Sequence, residues 1–97
     1  MKFDWDEEKD KRNLKKHGIT FNQAAKLFTN HSHYLELYDD SHSSDEDRFI
    51  AIGPITKGLI VVIYVERDLD YIRIISARKA NKTETLLFNK FKKGIPS

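Results

Sequence analysis

The hydrophobic positions of this chain fall into eight segments with distinct spacings. Phe3 and Trp5 alternate with polar neighbours and predict a short strand at a sheet edge. Between Asp6 and His17 the only apolar residue is Leu14, yet helix formers run throughout. Asp6 suits an N-cap, Glu7 and Glu8 sit where the helix dipole favours anions, and Lys15, Lys16 and His17 where it favours cations. Gly18 suits the left-handed position that ends a helix. Thr20 followed by Gln23 has the pattern of a capping box. Phe21, Ala24, Ala25 and Phe28, widened by Leu27, then give a second helix its buried stripe.

The rest of the chain is mostly strand. YLELY (34–38) alternates, DDSHSSDED is a polar loop, RFIAIG is a strand and PITKG a turn. LIVVIYVER is an almost continuous apolar run and predicts a central strand buried on both faces. DLD is a tight turn, YIRIISAR the last strand, and Leu86, Leu87 and Phe91 recur at helical spacing over 82–92. The order β-α-α-β-β-β-β-α predicts an α+β fold. We expect an antiparallel sheet of four to five strands, two N-terminal helices and one C-terminal helix.

Composition adds bounds. The 97 residues predict a single domain over 1–97, with a thin core. Cysteine is absent, so no disulfide and no Cys-based zinc site is available. Neither a membrane-length apolar run nor a signal-peptide segment is present, and the expectation is a cytoplasmic protein with no membrane partner. Charge changes the picture more. Residues 30–47 hold six acids and no Lys or Arg, whereas residues 48–97 hold ten bases and four acids. A basic chain interrupted by one acidic segment points to a polyanion on one surface, or to ordinary clustering on a solvated one.

Two basic constellations give that surface substance. On the first helix Lys9, Asn13 and Lys16 fall within about 60° of one another, with Arg12 on their flank and Leu14 roughly 140° from Lys9. The helix therefore docks lightly through Leu14 and presents Lys-Asn-Lys outward, or it is simply a solvated charged helix held by the Glu7–Lys11 and Glu8–Arg12 pairs. On the strands, Arg48 starts one, Arg67 ends the next, Arg73 interrupts the last and Arg78 ends it. Parity puts Arg73 on a face with Tyr71 and Ile75, and Arg78 on the other with Ile74 and Ser76. A three-residue turn would set Arg67 opposite Tyr71. Guanidinium groups match phosphate oxygens two at a time, so these four residues make an anion-binding sheet face, unless each is a surface ion pair.

Histidine offers less. His31 and His33 have a chelating spacing, with Asp39 or Asp40 as oxygen donors, but no further ligand stands at a recognised distance and no metal or other cofactor is expected. His17 is either a general acid or base near neutral pH or a residue favoured by the helix end. No Gly-rich phosphate loop, Ser-His-Asp or Cys-His set, or glycosidase-like carboxylate pair is recognisable.

The stretch FDWDEEKDKRNLKKHGITF, with Phe3, Trp5, Asp6, Lys9, Asn13, Lys16, His17, Gly18, Ile19 and Phe21 at the matching positions, resembles the opening of BrnT-type toxins. Further matches are His42-Ser43 followed by an acid and Arg48, then Gly53, Gly58, Glu66-Arg67, and the run Arg73–Arg78 with Ala80 and Glu84 beyond it. The resemblance spans about residues 3–88. It departs at Thr85, where the family often has Arg, and at Phe88, near the family's Tyr.

This resemblance implies a RelE-like fold and a ribonuclease toxin of a type II toxin–antitoxin system that slows translation. It implies a BrnA-like ribbon-helix-helix antitoxin, through which the complex binds operator DNA. Cleavage of RNA without metal requires deprotonation of a 2′-OH, stabilisation of a pentavalent phosphate and protonation of the leaving oxygen. We expect Arg67, Arg73 and Arg78 on the phosphate and Arg48 as a further contact. Lys9 and Lys16 approach from the helix to hold RNA or act as base, with His17 or Glu66 as the alternative base. Asn13 shares the lysine face, and Trp5 stacks a base or belongs to the core. A non-catalytic nucleic-acid binder, and a degenerate toxin that only meets its antitoxin, are the other readings.

Overall fold

A computed structural model of the chain describes residues 1–29, 33–42, 46–68 and 70–95. Strand β1 (Lys2–Asp4) leads into helix α1 (Glu7–His17) and helix α2 (Phe21–Thr29). Strands β2 (Leu35–Tyr38), β3 (Phe49–Ile55), β4 (Gly58–Asp68) and β5 (Tyr71–Lys79) follow, and helix α3 (Lys82–Lys93) closes the chain. The sheet order is β1-β5-β4-β3-β2. Among the described residues the polar loop contains a short 3₁₀ turn, Asp40–His42, and Pro54 lies inside β3 rather than in the turn that follows.

The sheet is mixed, not antiparallel. β2 to β5 pair antiparallel through their hairpins, but β1 runs parallel to β5, with Lys2 opposite Tyr71 and Asp4 opposite Arg73. No tight turn joins β1 to β5, so nothing forces them antiparallel. Phe3 packs against the core, and α1 lies against β5.

Local chemistry sets the helix ends as expected. Asp6 Oδ1 accepts from the N–H groups of Glu8 and Lys9 at 2.8 and 3.1 Å, which holds its carboxyl below the usual range. Gly18 closes α1 at φ 72°, its N–H donating to Leu14 O. The Thr20–Gln23 capping box forms, and Asp10 of α1 adds a third contact by accepting the Phe21 N–H at 2.8 Å.

The core divides into two layers. On one face α1 and α2 cover the sheet, with Ile19, Phe21, Ala24 and Leu27 against Val62, Tyr64, Ile74 and Ala77. On the other face α3 covers only part, setting Phe88 and Phe91 against Ile52, Val61 and Leu59. This corrects the expected stripe of α3. Phe88 is buried, while Leu86 and Leu87 are 62% and 45% exposed.

At Gly53 the side chain of Leu27 from α2 comes close to the sheet backbone. A Cβ there would lie 2.5 Å from Leu27 Cδ1 and 2.8 Å from Tyr34 Cβ. Gly53→Ala is expected to destabilise the fold by about 1–3 kcal/mol, read as a lower urea midpoint with unchanged slope.

Candidate functional site

The face that α3 leaves open carries a shallow depression with an apolar floor and a polar rim. Ile50, Ile63 and Ile75 line it together with Arg48, Arg78, Asp39, Ser41 and Ser76. The β4–β5 pairing beside it has two irregularities. The first skips Ile75, so that Ser76 lies across from Ile63 and Ile74 across from Tyr64. The extra residue reverses the parity beyond it, bringing Arg78 to the face of Arg73 instead of the opposite one. The second skips Arg67 and sets Asp68, not Arg67, opposite Tyr71. The turn is thus one residue shorter than expected; its Leu69 lies outside the described residues.

Carboxylates from three segments reach the arginines. Arg78 is gripped bidentately by Glu84, with Nη1–Oε1 and Nη2–Oε2 both at 2.7 Å. Those hydrogen bonds raise the arginine's pKa and hold the Glu84 carboxyl below its ordinary value. The stability contributed by Glu84 is therefore present above the carboxylate's unfolded pKa and is lost only as pH falls through the lowered folded one. Glu84 also accepts the Asn81 N–H at 2.9 Å, completing the capping box that starts α3. Arg73 Nη1 lies 2.9 Å from Asp4 Oδ1, and the Tyr71 hydroxyl donates to Asp4 Oδ2 at 2.7 Å, which pushes that phenol's pKa up. Arg67 pairs with Glu46 at 3.3 Å. The Arg67 and Arg73 pairs are half-exposed and cheap to part; the Arg78–Glu84 fork is stronger.

The helix residues behave differently. Asn13 does not share a presented face with Lys9 and Lys16. It is 7% exposed, and its Nδ2 donates to Ile19 O and Ala77 O, both at 2.8 Å. Its Oδ1 accepts the Ala77 N–H at 3.1 Å. The carboxamide thus takes the place of a strand partner where β1 has ended, and no amide hydrogen remains for RNA. Leu14, the expected anchor, is 46% exposed. Trp5 is half-buried and meets Phe21 edge-to-face at 6.1 Å, so it belongs to the core rather than to a stacking platform. Lys9 and Lys16 are exposed and His17 half-buried, and none of them lines the depression. The ion pair recorded on α1 joins Glu8 to Lys11 at 3.8 Å.

Sequence reasoning missed Asp39, Ser41 and Ser76 as members of one site. Asp39 is buried; its N–H donates to Arg48 O at 2.9 Å, and it accepts the Ser41 hydroxyl at 3.0 Å. Pairing YLELY with RFIAIG as a hairpin would have placed Asp39 beside Arg48. Among the described residues no cluster of three His, Asp or Glu is arranged to hold a metal, and His31 lies outside them. No helix among the described residues is long and apolar enough to cross a membrane.

Residues 5–84 match the family model of BrnT, the ribonuclease toxin of a type II toxin–antitoxin system. The chain belongs to the BrnT family. The crystal structure of the Brucella abortus ribonuclease toxin BrnT shares its fold with a TM-score of 0.61 at 28% identity, covering 84% of this chain and 99% of that one. No curated protein sequence matches the chain. In this chain both departures from the expected pattern have structural roles. The Thr85 hydroxyl donates to Asn81 O at 2.8 Å, and Phe88 lies in the second core layer beside Phe91.

Proposed function

We propose that this ribonuclease toxin binds and cuts RNA on the open face of its sheet, without a metal ion. The observation that carries this reading is the convergence of Arg48 and Arg78 on one depression with an isoleucine floor. Two guanidinium groups at an apolar surface suit a phosphodiester, whose charge grows in the pentavalent transition state. Asp39 is the carboxylate among the residues lining the depression, and we assign it as acceptor of the 2′-OH proton. Arg73 and Arg67 extend the cationic face toward the β4–β5 turn, and Lys9 and Lys16 guide RNA from the sheet edge. His17 and Glu66, which do not line the depression, remain alternative bases.

The chain acts in the cytoplasm, slows translation, and is neutralised by a BrnA-like ribbon-helix-helix antitoxin through which the complex binds operator DNA. Purified protein is expected to cleave RNA at the same rate with and without EDTA. Cleavage that stops on chelation and returns with magnesium would overturn the metal-free reading. A second reading is favoured by Phe88, which puts a buried phenyl where a hydroxyl was expected. On that reading the chain grips RNA without cutting it, and gels show intact RNA bound with a steep salt dependence.

A further inference from the structure

We propose that the outer face of α3 is the seat of an acidic, amphipathic segment of the cognate antitoxin. Leu86, Asn89, Lys90 and Lys93 follow one another at i, i+3, i+4 and i+7 and line a shallow groove along the helix. Leu86 and the neighbouring Leu87 are 62% and 45% exposed. Four lysines (Lys82, Lys90, Lys92, Lys93) accompany them on α3, whose single acid, Glu84, is turned to Arg78.

Lysines alone would suit RNA as well as protein. The leucines decide between them, because a nucleic-acid backbone leaves two exposed leucines in water, whereas a segment alternating apolar and acidic side chains covers both features. Position supports the same occupant. The groove residues Asn89, Lys90 and Lys93 lie beyond the family match, which ends at residue 84, and partner choice is a property that a surface outside the common core can set. The groove also begins within a turn of Glu84, so an acidic segment seated there adds negative charge beside Arg78 and repels RNA from the depression.

The antitoxin's existence rests on the toxin reading above; the α3 surface does not depend on where, or whether, RNA is cut. The test compares the parent with Leu86→Glu/Lys90→Glu for affinity to the antitoxin encoded beside this chain, measured calorimetrically. RNA cleavage and thermal melts are followed on the same preparations. Lys93→Glu, a single change at an exposed site, serves as a second variant should the double one melt early. We expect antitoxin affinity to fall roughly tenfold or more with cleavage unchanged. Parental affinity in both variants would overturn the proposal. So would loss of RNA binding in place of antitoxin binding, or a parent that is dimeric through α3 and becomes monomeric in the variant. If the parent cuts no RNA yet the variants lose the antitoxin, the ribonuclease site falls and the α3 surface stands.

Discussion

Arg78→Ala is expected to lower RNA cleavage by about 10²–10³-fold in a protein that stays folded. Arg78 is the residue where the sheet irregularity, the depression and the carboxylate fork meet. On the proposed mechanism, removing it takes away a fixed cation where the phosphate would bind and leaves the pocket's other lining residues in place. The fold survives because Glu84 keeps its second task, the cap on Asn81, and the Arg78 side chain is 40% exposed. Arg78→Lys separates charge from geometry, since an ammonium restores the charge but not the two-pronged match to phosphate or to Glu84. We expect it to recover part of the rate. Arg73, paired with Asp4 outside the depression, sets the scale, and its alanine variant should lose less. Single-turnover cleavage of a labelled RNA, with circular dichroism as a check on folding, makes the measurement. A folded Arg78→Ala variant that cuts at the parental rate would remove the depression from the mechanism.

The largest expected effect on stability belongs to Asn13. Asn13→Ala removes three buried hydrogen bonds at once and leaves the N–H and C=O of Ala77 and the carbonyl of Ile19 without that partner. Each such buried group costs about 1–3 kcal/mol when unpaired, so a loss of about 3–5 kcal/mol is expected after relaxation and water entry. Set against a typical domain stability of about 5–15 kcal/mol, that leaves a protein close to unfolding at 37 °C. Leu14→Ala, one residue away and half in solvent, should change the urea midpoint little. The reverse ranking would return the anchoring role to the leucine.

These two residues also show where the sequence was legible and where it was not. The strands from LIVVIYVER onward, the caps at Asp6 and Thr20, and the closing helix follow from local spacing, and local spacing survives folding. The face of Arg78 did not follow, because alternation holds only while pairing is regular and the skip at Ile75 depends on how β4 and β5 meet. The role of Asn13 was hidden for a related reason. A polar residue on a polar helix looks solvated until the far end of the chain supplies Ala77 as its partner. The parallel course of β1 and the exposure of Leu86 likewise depend on partners distant in sequence. The arginines stood out in the sequence as a set, whereas the carboxylates that pair with Arg67, Arg73 and Arg78, namely Glu46, Asp4 and Glu84, did not.

Fastening α1 by Asp10 and Asn13 rather than by a greasy stripe has an evolutionary consequence. A hydrophobic stripe fixes every third or fourth residue of a helix, and with it much of the helix's outward appearance. Here a few polar joints carry the attachment, and the remaining positions are free to drift. A lineage of such toxins can repaint this helix, altering what it attracts or repels, while the sheet beneath keeps its footing.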